Sequence, residues 1–160
     1  MYKRILLAYD GSREGRGALR EGALIAHRCE AQIYLLSVVA GAAALRMAEG
    51  VNAGALAHCE ENYREVLEEG VERLKSLGFN PIAKLVTGEP VQEIAAFAHH
   101  VGADLIVLGH RRQSLLSRWW SGSSDAYLVD HVNCSVLISR NVISDEAFMA
   151  EFAKVREITA

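Results

Sequence analysis

Only three cysteines occur in the 160 residues, Cys29, Cys59 and Cys134, and no two of them make a C-x-x-C pair. An odd number at wide spacing argues against a disulfide framework and for reduced thiols, so a cytoplasmic protein is expected. Long apolar runs are missing as well. No stretch comes near the ~20 residues of a membrane span. Lys3 and Arg4 lead straight into a short run that ends at Asp10, unlike a signal peptide. Strong charge of one sign is also missing. A net charge of −3 sets up no field that would draw nucleic acid or a membrane surface, so neither is expected as a partner. The common catalytic and phosphate signatures do not occur. The early glycines run Gly11, Gly15, Gly17, which is not the dinucleotide order G-x-G-x-x-G, and there is no G-x-x-x-x-G-K-[ST] and no G-x-S-x-G. The histidines His27, His58, His99, His100, His110 and His131 make no H-E-x-x-H, so no metal site is expected.

What is present is core material and a clear alternation of periods. With 51% hydrophobic and 23% charged residues, the chain can bury one ordinary domain and is not a disordered one. Residues 3–10, 31–39, 80–86, 104–109 and 134–140 are continuous apolar runs, the pattern of parallel strands covered on both faces. Between them the spacing turns helical. Ala18, Gly22 and Ile25 share a face in 12–28. Tyr63, Leu67, Val71 and Leu74 do so in 58–77, and Val91, Ile94, Ala95 and Ala98 in 90–100. Gly78 closes the second helix and Glu89-Pro90 opens the third. Ser123 and Ser124 can cap a fourth that runs to about His131. Strand–helix alternation predicts an α/β fold with a parallel sheet and helices on both faces. Residues 40–53, rich in Ala and Gly, read as a loop. In 144–160, Phe148, Phe152 and Val155 repeat at helical spacing, which predicts a short amphipathic tail helix outside a domain of residues 1–143.

Ligands of such sheets sit beyond the carboxyl ends of the strands, where the strand order reverses. Three loops qualify. Asp10-Gly11-Ser12 follows the first strand. Its acid can accept from an amide, a ribose or an adenine amino group, or it can simply cap the next helix. Thr87-Gly88-Glu89-Pro90 follows the third strand and is either strand-to-helix punctuation or backbone laid beside a ligand. The long segment from Gly109 to Ser124 follows the fourth. Gly109 permits close backbone approach, Gly122-Ser123-Ser124 brings free N–H groups to a helix start, and Arg111, Arg112 and Arg118 add positive charge; together they suit an anion. Trp119-Trp120 reads as an apolar anchor of this loop or a subunit contact. The charge-rich residues 60–75 read as the solvated face of a helix, with pairs such as Glu69–Arg73.

Four segments in order carry a resemblance. They are Arg4-Ile5-Leu6-Leu7-Ala8-Tyr9-Asp10-Gly11-Ser12, Val86-Thr87-Gly88-Glu89-Pro90, Asp104-Leu105-Ile106-Val107-Leu108-Gly109 followed by Gly122-Ser123, and His131-Val132-Asn133-Cys134-Ser135-Val136-Leu137-Ile138. Together the sequence resembles the universal stress protein family over about residues 2–142. The third segment is similar to the family's nucleotide loop, written G-2x-G-9x-G-[ST]. The resemblance implies a three-layer, Rossmann-like fold of the adenine nucleotide alpha hydrolase kind, with five parallel strands in the order 3-2-1-4-5 and here a C-terminal helical extension. It implies that Asp10 meets the adenine or ribose end, that Val39 offers backbone to the adenine ring, and that Gly109, Arg111, Gly122, Ser123 and Ser124 surround the ribose and phosphates. One position departs: Arg112 stands where the loop's second glycine belongs. A side chain there either obstructs the phosphate cradle or grips a phosphate through its guanidinium.

The expected function is therefore an adenine-nucleotide-binding regulatory or stress-response protein. It takes ATP, ADP or AMP, with Mg²⁺ when phosphates are present, and passes its bound state to a protein partner. The alternative is a nucleotide-free interaction protein of the same fold. A slow ATP hydrolase ranks last because no general base for water is evident. In the implied order the last strand, which begins at Cys134 and ends at Arg140, is an apolar sheet edge. That edge and the resemblance both predict a homodimer.

Overall fold

A computed structural model describes residues 1–40, 53–110, 128–140 and 143–159. The continuous apolar runs form five parallel strands: β1 (Arg4–Ala8), β2 (Gln32–Ala40), β3 (Ile82–Gly88), β4 (Leu105–Gly109) and β5 (Ser135–Ser139). Their order is β3-β2-β1-β4-β5, so the chain winds outward from β1 to β3 and then restarts on the other side with β4. Successive side chains of a strand point to opposite faces, and each run supplies apolar residues to both. On one face Ile5, Leu7, Ile33, Leu35, Leu105 and Val107 form the larger core. On the other, Leu6, Leu36, Ile106 and Leu108 meet Val91, Ile94 and Phe97. β1 and β4 are thus covered on both sides, as their sequences demand. β3 differs from the expectation: as an edge strand it leaves Ile82, Ala83 and Lys84 exposed.

The helices are α1 (Arg13–Cys29), α2 (Ala53–Ser76), α3 (Pro90–Val101) and α4 (Asp145–Thr159). Helix α2 starts earlier than the apolar stripe predicted. Residues 53–57 are mostly alanine and carry no stripe to read, but alanine favours helix. It ends as expected at Gly78, whose φ of +90° suits glycine. Pro90 opens α3 at its first position, after Glu89, whose side chain makes no cap hydrogen bond. Helix α4 buries Phe148, Phe152 and Val155. Its aromatic rings join His27 of α1 and Phe79, so the tail helix packs on the domain itself. Arg20 of α1 fastens its start by hydrogen-bonding the Ile143 carbonyl at 2.7 Å and pairing with Asp145.

The two halves of the sheet are locked at the amino edge. The Asp104 carboxylate accepts from the backbone N–H of Lys3 at 2.7 Å and of Arg4 at 3.2 Å. Among the described residues β5 pairs with β4 alone. The predicted fourth helix falls mostly outside the described residues; its described end is a 3-10 turn, Leu128–Asp130. Of the predicted 40–53 loop, Ala40 ends β2 and Ala53 starts α2, and the rest lies outside the described residues, as do Trp119 and Trp120.

Candidate functional site

The strand order reverses between β1 and β4, and both of those strands end at the same edge. Ala8 lies opposite Leu108, so the chain leaves β1 at Tyr9-Asp10 beside Gly109-His110, where it leaves β4. Tyr9 is held from three directions. Its N–H donates to the Leu36 carbonyl at 2.8 Å. Its carbonyl accepts from the fully buried Ser37 hydroxyl at 2.7 Å, and its phenol donates to Glu69 at 3.0 Å. A residue fixed in this way sets where the next one goes, and Asp10 is delivered to the edge half-buried.

Asp10 then organises the start of α1. Its Oδ1 accepts from the Ser12 N–H at 3.0 Å and the Ser12 hydroxyl at 2.5 Å. The same hydroxyl, at the N-cap, accepts from the Gly15 N–H at 2.9 Å. In this chain of N–H to hydroxyl to carboxylate each link polarises the next, which holds Ser12 in its capping position. Of the two sequence readings of this loop, the cap is present, with Ser12 capping and Asp10 aiming Ser12. Gly15 makes room for it, since a Cβ there would lie 2.5 Å from Asp10 Oδ1.

Gly109 does permit close backbone approach, and the backbone that approaches is α1. A Cβ on Gly109 would come within 2.5 Å of the Glu14 carbonyl group and 2.7 Å of the Gly15 nitrogen. Helix α1 therefore starts directly over the end of β4, and its first turn is shared by Asp10 and Gly109. Val39 lies on the stretch of β2 that runs past the last β1–β2 pair, Ala8 with Leu36. It pairs with Thr87 and its side chain is buried. Gly88 is covered by the Glu93 side chain, which fits punctuation at the third junction. Arg111, Arg112, Gly122, Ser123 and Ser124 lie outside the described residues. His110 continues the β4–β5 ladder by donating its N–H to the Ser139 carbonyl at 2.9 Å. Among the described residues no group of three His, Cys, Asp or Glu could hold a metal ion, and no helix is long and apolar enough to cross a membrane.

Behind the β1 exit stands a polar cluster that the sequence did not disclose. Glu69 accepts from Tyr9, from Arg16 at 3.0 Å and from Arg73 at 2.7 Å, tying β1, α1 and α2 together. The i, i+4 pair Glu69–Arg73 was legible, but Glu69 was expected on a solvated face. It is instead turned onto Tyr9, and the signal was a tyrosine at the end of a buried strand, whose hydroxyl needs a partner. Burial pushes the Glu69 carboxyl up, but hydrogen bonds from Arg16, Arg73 and Tyr9 outweigh it and hold the group below its ordinary 4.5. Burial pushes the Tyr9 phenol up, and Glu69 adds to that.

A depressed carboxyl stabilises the fold fully above its unfolded value, and that contribution fades as pH falls through the folded one. Glu69 is part-exposed, so the amount is on the order of 1 kcal/mol. Urea unfolding of the unaltered protein and of Glu69→Gln, followed from neutral pH to about pH 3, is the check. The substitution should flatten the acid limb of the stability curve, and an unchanged acid limb would remove Glu69 from this role.

An open, doubly wound parallel sheet with a capped helix start over its reversal point defines a Rossmann-like α/β protein. The particular family follows from comparison with known proteins. Residues 1–140 match the universal stress protein family, and the chain belongs to it. A universal stress protein of Methanocaldococcus jannaschii is 28% identical over 139 residues, 86% of this chain and 82% of that one. The crystal structure of a universal stress protein family member from Burkholderia pseudomallei superposes with a TM-score of 0.66. It is 25% identical and covers 88% of this chain and 97% of its own. The universal stress protein of Archaeoglobus fulgidus, solved in complex with dAMP, shares the fold at a TM-score of 0.63 and 22% identity, over 87% of this chain and 98% of its own.

Proposed function

We propose that this chain is a regulatory protein that binds an adenine nucleotide in the crevice at the β1–β4 reversal. The supporting observation is the shared first turn of α1, with Asp10 on one side and Gly109 on the other. It puts a fixed carboxylate and a helix start at the place where open α/β sheets take nucleotides. A relative of the same fold carries dAMP. Asp10 takes the ribose or adenine end, Val39 offers backbone to the ring, and Gly109, with Arg111, Arg112, Gly122, Ser123 and Ser124, takes the ribose and phosphates, with Mg²⁺ when the phosphates require it. Thermal unfolding with Mg-ATP, and with Mg-GTP as control, tests this. Ligand at ~100 times its dissociation constant adds about 2.7 kcal/mol, which for a domain of this size raises the midpoint by about 5–11 °C.

A second reading has its own observation. Asp10 Oδ1 is already engaged by Ser12, so the acid has a complete structural role in the cap without any ligand. On that reading the protein is a nucleotide-free interaction module. Nucleotide-free protein that shows no shift with ATP would favour it; a shift with ATP and not GTP favours the adenine site.

A further inference from the structure

The carboxyl edge of the sheet is electrically lopsided. At β1 it ends on the Asp10 carboxylate, and at β4 and β5 it ends on His110 and Arg140. The register pairs Gly109 with Ser139, and the His110 N–H donates to the Ser139 carbonyl at 2.9 Å, so the ladder holds His110 and Arg140 side by side just beyond the strands. The Arg140 guanidinium lies 3.5 Å from His110 Nε2. A guanidinium only donates, so the tautomer that fits this contact accepts at Nε2 and carries its hydrogen on Nδ1, a second donor at the same edge. Arg140 is exposed and meets no carboxylate among the described residues; Arg13 and Arg28 share that lack, and Arg140 differs from them in its contact with His110. The hydroxyl of Ser139, a buried residue next to Arg140, has no hydrogen-bond partner among the described residues. The end of β5 thus carries donor capacity that the described residues leave unused.

An arginine without a carboxylate, paired with an imidazole donor, is chemistry for an anion with several oxygens. Position narrows the anion. Asp10 and Arg140 are two strand spacings apart, about 10 Å. A nucleotide whose ribose is anchored at Asp10 reaches that far with a di- or triphosphate and falls short with a single phosphate. We propose that His110 and Arg140 form a subsite for the outermost phosphate of a nucleoside di- or triphosphate, by which this chain reads phosphate number. The subsite rests on the nucleotide reading above and adds to it a preference among ligands.

The test is calorimetric titration of the full chain with AMP, ADP and ATP, for the unaltered protein, Arg140→Gln and Arg140→Lys. The unaltered protein should bind ATP and ADP more tightly than AMP. Arg140→Gln should weaken ATP on the order of 10-fold and leave AMP unchanged, and Arg140→Lys should recover part of the loss. Arg140 is exposed, so both variants should fold, and retained AMP binding reports that they have. Equal loss for AMP and ATP, or no loss for ATP, overturns the subsite while the nucleotide reading stands. If the unaltered protein binds none of the three, that reading fails and the subsite with it.

Discussion

Phe152→Ala should lower the midpoint of thermal unfolding on the order of 10 °C. The ring is 2% exposed and lies 5.6 Å from Phe148, 5.3 Å from His27 and 6.2 Å from Phe79, centroid to centroid. Truncating a buried phenylalanine removes its apolar transfer energy and leaves a cavity, together about 3–5 kcal/mol. The loss reaches the whole domain because the ring's neighbours belong to it: His27 sits in the last turn of α1 and Phe79 lies between α2 and β3. A terminal helix has one escape, which is to undock and cap the loss at its own docking energy. Hydrogen exchange separates the two cases. If the α4 amides lose protection while the midpoint moves by less than about 3 °C, α4 is a separable layer. The expected result is a shift of the global transition.

Gly109→Ala should cost about 3 kcal/mol in urea unfolding, at the upper end for an added core methyl. The new Cβ would sit 2.5 Å from the carbonyl carbon and oxygen of Glu14, where ordinary contact begins near 3.4 Å. Side chains can yield to such a clash by changing rotamer, but here the obstacle is helix backbone, and α1 must back away from the sheet. That displacement would carry Ser12 and Gly15 from Asp10, so on the proposed function nucleotide affinity should fall with stability. Gly78→Ala is the control. A Cβ there meets nothing within 4 Å, and only its φ of +90° opposes the change, at about 1 kcal/mol. Equal losses at the two sites would mean that α1 is not seated on β4 as described.

The strands were legible because a buried parallel strand writes itself as an unbroken apolar run, and Ile5-Leu6-Leu7 and Leu105-Ile106-Val107-Leu108 could hardly be anything else. The order of the strands is not written in any one of them; it came from the resemblance of the motifs. Edge strand β3 misled for a related reason, since Ile82-Ala83 and Leu85-Val86 read as one run across Lys84 while Ile82 and Ala83 face outward. At the candidate site, Asp10 and Gly109 could be placed from their positions after strands. Their shared neighbour could not, because the contact is between Gly109 and the backbone of Glu14, and backbone leaves no mark in composition. Glu69 was hidden by distance: its partner Tyr9 lies 60 residues away, and a helix surface rich in Glu and Arg gives no sign of which carboxylate turns inward. Arg140 was read as the end of a strand, and nothing in the sequence sets it against His110.

The pairing of β1 with β4 has a consequence for synthesis. Ile5 lies opposite Leu105, and Lys3 hydrogen-bonds a residue 101 positions further on. At roughly 5–20 residues per second, a ribosome needs about 5–20 s to deliver β4 after β1. Through that interval the nascent chain can assemble β1, β2 and β3, but one whole flank of β1 has nothing to pair with. Ile5, Leu6 and Leu7, among the most completely buried side chains of the finished protein, then stand at an open edge. On the function proposed above, nucleotide could not protect this half-built sheet either, because the crevice has only one wall until β4 arrives.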